Sequence, residues 1–219
     1  MRGRFEAVIF DMDGTLLDSM PAWRSLGKRF LKDRGLPVPP EIERDRFITC
    51  YAACEAIARA HDVGMDAMGL FKFVLDAYLP ALYAEEVLPR AGALEALANL
   101  AGRGVPSCVA TATPTALARV ALEAHGIQKF FRFLLGREDL PVHKDDPRYF
   151  ELVSERLGFP PDSCLVVEDS LYAIKSAKAA GCAVCAVEDD FSLRERGDIA
   201  AISDYIVKDF IGFARALDL

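Results

Sequence analysis

No stretch of the 219 residues approaches the roughly 18 consecutive apolar positions that a membrane-spanning helix needs. Positive charge is not in excess either. The 26 lysines and arginines face 33 acids, a net charge of −7, which argues against nucleic acid as the main partner because phosphate backbones select basic faces. Met1-Arg2-Gly3-Arg4 leads into only six strand-like residues before Asp11, with none of the apolar core of an export signal. Internal repeats and low-complexity tracts are absent, which excludes solenoids and disordered linkers. These absences predict a soluble, cytoplasmic protein with neither membrane nor nucleic acid as partner, and a monomer as the default state.

Cysteines are present but lack the pattern of a disulfide or zinc framework. Cys50, Cys54, Cys108, Cys164, Cys182 and Cys185 lie largely in apolar runs, where thiols behave as small hydrophobes in a reducing compartment. Cys182-Ala-Val-Cys185 has redox or zinc spacing, yet it has no second ligand pair and reads as two buried thiols.

Apolar residues make up 52% and charged residues 27%, ample for a core. The length suits a main domain carrying a smaller appendage. Apolar runs at 5–10, 105–110, 133–135, 164–167, 183–187 and 205–207 read as strands. Between them, helical spacing recurs at Leu94/Leu97/Leu100, Leu117/Val120/Ala124, Phe150/Val153/Leu157 and Ala173/Ile174/Ala177, with Gly181 placed to end the last. Strands alternating with helices predict an α/β fold, a Rossmann-like parallel sheet covered on both faces. The alternation breaks between about Ser19 and Val87, where helical patterns at 23–31, 51–60 and 68–82 predict an inserted all-helical domain. The division expected is therefore a core of residues 1–17 and 88–219 with a helical insert over 18–87.

Open parallel sheets bind ligands beyond the carboxyl ends of their strands. The first strand is followed by Asp11-Met12-Asp13-Gly14-Thr15, the second by Thr111, the fourth by Glu168-Asp169, and Lys144 lies in the loop before Pro147. Side chains two apart in extended chain point the same way, so Asp11 and Asp13 can converge, and Gly14 lets the backbone turn. Two carboxylates 4 Å apart repel by about 4 kcal/mol at an effective dielectric near 20. A dication with oxygen ligands offsets that repulsion and bridges to a phosphoryl oxygen.

The same residues resemble the four motifs of the haloacid dehalogenase superfamily, in order along the chain. The helical insert after the first motif resembles that superfamily's C1-type cap, as in the β-phosphoglucomutase and phosphoglycolate phosphatase group. The resemblance implies a phosphatase acting on a small phosphorylated metabolite with Mg2+. It implies that Asp11 attacks phosphorus to give an aspartyl phosphate, and that Asp13 protonates the leaving oxygen and then deprotonates water. It implies that Thr111, Ala112 and Lys144 hold the phosphoryl group. Magnesium is then held by Asp11, the Asp13 backbone carbonyl, Asp169, and Glu168 directly or through water.

Two departures stand out. The third motif commonly reads Lys-Pro-x-Pro in related members, whereas this chain has Lys144-Asp145-Asp146-Pro147, with two acids that would weaken the pull of Lys144 on phosphate. The β-phosphoglucomutase branch carries a histidine 12 residues after the nucleophile, where this chain has Trp23. That favours hydrolysis over a sugar-phosphate mutase, and makes Trp23 a residue that packs the cap or lines the cavity. Dehalogenation needs neither Asp13 nor magnesium, and a non-catalytic binding protein on the same scaffold would not need the full set of acids. Among plainer roles, Thr111 and Thr113 compete as helix caps before Pro114. Asp18 and Ser19 open the insert, His143 reads as a loop residue, and His61 and His125 read as structural. Arg46, Tyr51 and Lys72 read as helix-face residues of the insert.

Overall fold

The computed structural model describes residues 5–219; Met1 to Arg4, read above as lacking an export signal, lie outside the described residues. Six strands run parallel: β1 (Ala7–Phe10), β2 (Ser107–Ala110), β3 (Leu134–Leu135), β4 (Cys164–Glu168), β5 (Ala183–Val187) and β6 (Tyr205–Val207). Their order is β3-β2-β1-β4-β5-β6, so the chain starts in the middle of the sheet and winds outward to both edges. The six apolar runs of the sequence are these six strands, the Rossmann-like arrangement expected.

The chain falls into two compact units, one made of the segment ending at Asp18 with Leu88–Leu219, the other of Ser19–Val87. In the first, the sheet is flanked by α5 (Ala93–Gly102), α6 (Thr115–Ala124), α7 (Pro147–Leu157), α8 (Leu171–Ala179), α9 (Arg196–Ile202) and α10 (Phe210–Ala216). Ala7 and Ile9 of β1 pack with Tyr149, Phe150 and Val153 of α7 and Ile174 and Ala177 of α8. Phe10 turns to the other face and meets Phe210 and Phe213 of α10, with ring centroids 6.0 and 6.1 Å away. A strand buried on both faces reads as a continuous apolar run for this reason. Cys108, Cys164 and Cys182 belong to the same core, all six cysteines are free, and burial pushes the Cys185 thiol up to about 12. They are packing residues.

The second unit contains α1 (Met20–Arg34), α2 (Pro40–Arg44), α3 (Cys50–Ala60) and α4 (Ala67–Glu85), and no strand among its residues. Thr49 caps α3 through the Ala52 N–H, Asp66 caps α4 through the Gly69 N–H, and Gly35 ends α1 with φ 62°. The short α2 escapes the sequence pattern because its single buried side chain, Ile42, sets no period. Pro80 lies inside α4 and does not end it. By length and composition α4 is apolar enough to cross a membrane, although Lys72 and Asp76 interrupt it and it holds no unbroken run of 18 apolar residues. Leu70, Val74, Leu75, Leu79, Leu82 and Tyr83 are nonetheless buried, which marks it as a core helix of this unit. Trp23 donates from Nε1 to the Tyr83 hydroxyl at 3.1 Å, tying α1 to α4, and Tyr51 sets its ring edge against Phe71.

The two crossings between units leave the sheet side by side. Asp18 N–H donates to Leu88 O and Arg90 N–H to Leu16 O, both at 2.9 Å. Asp18 meets its partner through backbone alone, and its side chain is exposed.

Candidate active site

Parallel pairing in register brings the acids of distant segments to one level. Phe10 lies opposite Val167 in β4 and Val109 in β2, so the residues that follow all three emerge at the same sheet end. The Asp11 N–H donates to Val167 O and the Thr111 N–H to Leu135 O, each at 2.9 Å, extending the sheet ladder one residue past each strand.

Beyond β1 the chain turns at Gly14, whose φ of 82° suits glycine. A Cβ there would stand 2.7 Å from Asp169 Oδ2, so the absence of a side chain is also what admits the Asp169 carboxylate. Thr15 fixes the approach by donating from Oγ1 to Asp169 Oδ1 at 2.9 Å. Asp11, Glu168 and Asp169 are all buried, and one carboxylate oxygen of each lies within 4.8 Å of the others. Glu168 Oε1 accepts the Asp169 and Ser170 N–H groups, both at 3.1 Å.

Lys144 enters this cluster from the loop before α7. Its Nζ donates to Asp11 Oδ1 at 2.7 Å and to Glu168 Oε2 at 2.5 Å. Of its two neighbouring acids, Asp146 does not crowd it in the way the altered motif suggests. Asp146 turns to cap α7, accepting the Arg148 N–H at 2.9 Å, and Pro147 opens the helix behind it. Lys144 shares a cavity of about 200 Å³ with Thr111, Ala112, His143, Asp145 and Tyr172. The Thr111 hydroxyl accepts the Thr113 N–H at 3.2 Å, which leaves its own hydrogen to donate elsewhere.

Asp13 stands beside this cluster, its charge adding to that felt by Asp11, and its Oδ2 accepts a 2.6 Å hydrogen bond from Thr113 Oγ1. Thr113 does not cap α6, where Pro114 holds the cap position. Sequence reasoning assigned no role in the site to Thr113 or Thr15. The only local signal was their place within or just after a motif. His61 and His125 sit at the ends of α3 and α6.

Burial decides the charge state of the cluster. It lifts the Asp11 carboxyl from 3.8 to about 7, reinforced by Glu168 and opposed by Lys144. Asp169 is raised well above 3.8 by burial, then by Glu168 and Asp11. Burial alone would pull Lys144 down, but Asp11 and Glu168 outweigh it and hold it well above its usual value. The cluster has more negative charge than one lysine can balance, so protons bind in default of another cation.

The loop beyond β3 closes the same end. Gly136 lies so near α6 that a Cβ would stand 2.3 Å from Thr115 Oγ1 and 2.4 Å from its backbone nitrogen. Asp139 Oδ2 accepts from Thr115 Oγ1 at 2.6 Å and from the Gly136 N–H at 2.8 Å. Gly136→Ala forces backbone apart here and is expected to cost about 2–3 kcal/mol. Urea unfolding measures it; a midpoint equal to the parent's would contradict the clamp.

A family model of haloacid dehalogenase-like hydrolases matches residues 8–187. Among curated proteins, a phosphorylated carbohydrates phosphatase of Thermotoga maritima is 28% identical over 90% of this chain and 94% of its own length. A phosphoglycolate phosphatase of Pseudomonas putida is 32% identical over 80% of this chain and 66% of its own. Among solved structures, CbbY of Rhodobacter sphaeroides in complex with phosphate has a TM-score of 0.77 at 23% identity, covering 98% of this chain and 100% of that one, a likeness of fold.

Proposed function

The chain belongs to the haloacid dehalogenase-like hydrolases and is an enzyme of phosphatase type, and on that premise we propose that it hydrolyses a small phosphate monoester through an aspartyl phosphate on Asp11, with Mg2+. One observation carries this reading. Three buried carboxylates converge within 4.8 Å at adjacent strand ends, with Lys144 bonded to two of them.

The donor set fits a dication. Asp11, Glu168 and Asp169 offer oxygen only, as magnesium prefers, and the raised proton affinity of Asp11 and Asp169 marks a place where positive charge is wanted. Asp11, Asp169 and the Asp13 carbonyl would hold the ion, with Glu168 direct or through water. Bound there, it would neutralise charge on the phosphoryl oxygens.

This chain's own residues supply the rest. Lys144 fixes one oxygen of Asp11, and among the described residues the other takes no hydrogen bond, which leaves it to attack phosphorus. Thr111, the Ala112 N–H and Lys144 cradle the transferring group from the cavity they line. Asp13 hands a proton to the leaving oxygen and takes one from water in the second step. Residues 18–87 serve as the substrate-selecting cap, and free thiols suit a reducing, intracellular setting. A panel of phosphorylated metabolites, assayed for phosphate release with and without Mg2+, tests the reading. Turnover unaffected by chelation would remove magnesium from it, and isomerised β-glucose 1-phosphate without free phosphate would make the chain a mutase.

A pH dependence follows from the carboxyl groups. Asp11 titrates near 3.8 when unfolded and about 7 when folded, so between those values the folded chain holds the extra proton. Stability without a divalent cation therefore falls as pH rises across that window. Magnesium competes with that proton, so its thermal-shift effect should be small near pH 5 and several degrees near pH 8. A shift that is the same at both pH values would count against metal at this cluster.

A further inference from the structure

The reaction proposed above asks one carboxyl to give a proton and later to take one, and its aim has to survive both steps. Asp13 sits half-buried in the turn after β1. Thr113, only 4% exposed, donates from Oγ1 to Asp13 Oδ2 at 2.6 Å, across 100 residues of chain. The platform behind that hydroxyl is rigid. Thr113 N–H donates to Thr111 Oγ1 at 3.2 Å, and Thr113 O accepts from Arg137 N–H at 3.2 Å. The close packing of Gly136 on Thr115 then locks the loop beyond β3 to the start of α6. A threonine so placed, capping no helix, has one evident task.

Resting on the phosphatase reading, we infer that Thr113 is the positioning residue of Asp13, aiming its carboxyl first at the leaving oxygen and then at the attacking water. In the first step the Asp11 oxygen–phosphorus bond forms and the bond from phosphorus to the leaving alcohol breaks. The departing electron pair takes the proton of Asp13. In the second, the water oxygen–phosphorus bond forms, the Asp11–phosphorus bond breaks, and the water proton passes to Asp13. Thr113 exchanges no proton in either step; a hydroxyl has one hydrogen to donate, and it stays on Oδ2. Losing it removes one restraint on the aim of the carboxyl, and misplacement of a catalytic group by about 1 Å costs on the order of 100-fold.

The signature is dependence on the leaving group. An alkoxide cannot depart unprotonated, whereas 2,4-dinitrophenolate can, so aim matters for the first and little for the second. We would measure kcat/KM, which reports the steps through phosphoenzyme formation, on glycerol 2-phosphate and on 2,4-dinitrophenyl phosphate. Thr113→Val and Thr113→Ala should lower it roughly 30- to 100-fold on the glycerol ester and less than about 3-fold on the dinitrophenyl ester. Thr113→Ser, which keeps the hydroxyl, should stay within about 3-fold of the parent on both. If Thr113→Val does not fold, Thr113→Ala carries the test, since it puts no methyl against the carboxylate. Equal losses on both esters, or none on either, would overturn the assignment while leaving the phosphatase reading intact, provided Asp11→Asn still abolishes turnover. Phosphate released from neither ester by the parent, or released normally by Asp11→Asn, would overturn the reading and the assignment together.

Discussion

Asp11→Asn is expected to stop phosphate release, by roughly ten-thousand-fold or more, and at the same time to make the metal-free protein harder to unfold near pH 8. The two effects share a cause. Asn is almost the same shape as Asp, so Lys144 can still reach its carbonyl oxygen and still holds Glu168 at 2.5 Å. What disappears is a nucleophile and a charge. Asp11 is held at about 7 because burial and Glu168 disfavour its ionised form more than Lys144 favours it. Above that pH the folded chain carries a carboxylate that the unfolded chain ionises far more readily, a penalty of a few kcal/mol at about 1.4 kcal/mol per pKa unit. Asn removes the penalty. Phosphate assays and thermal melts in a chelating buffer measure the pair; a variant that is inactive but also less stable near pH 8 would mean that Asp11 is a structural acid.

Lys144→Met should act in the opposite direction on stability. Among the described residues Lys144 is the ammonium that Asp11 and Glu168 share, and all three side chains are buried. Removing one partner from a buried ion pair leaves uncompensated charge, which costs about 3–5 kcal/mol. Protonation of the acids absorbs part of the loss, so the deficit should be largest near pH 8 and shrink towards pH 5. Magnesium should recover part of it, since a dication can stand in for the missing charge, whereas activity should remain roughly 100- to 1,000-fold down because the phosphoryl group has lost a donor. Denaturant titrations at both pH values, with and without magnesium, would decide the matter. A deficit that does not change with pH would place the lysine's contribution in packing and not in charge.

Lys144 also shows how the altered third motif keeps its lysine in place. Asp145 and Asp146 read as a liability beside a phosphate-binding lysine. In the folded chain Asp146 spends its charge on the first turn of α7, and the lysine is governed by Asp11 and Glu168 instead. Helix capping uses short-range hydrogen bonds that any acid before a helix can make, and a motif comparison does not weigh them.

Much of this protein was decided by local sequence. Apolar runs of strand length separated by helical periods specify a parallel sheet, because a strand covered on both faces has to be apolar on both. The positions of Asp11, Thr111, Glu168 and Asp169 directly after such runs follow from the same pattern, as does the helical insert between the first strand and the second. One element escaped it: the five-residue α2, with a single buried side chain, is too short to show a period, whereas the helical pattern over 68–82 already spans Pro80 as α4 does. What the tertiary structure alone decided is who meets whom at the sheet end: Lys144 with Glu168, Thr15 with Asp169 across 154 residues, Thr113 with Asp13 across 100. Periodicity is a property of neighbours in the chain, whereas a hydrogen bond or a shifted proton depends on which loops the strand order brings together and on how little water is left between them.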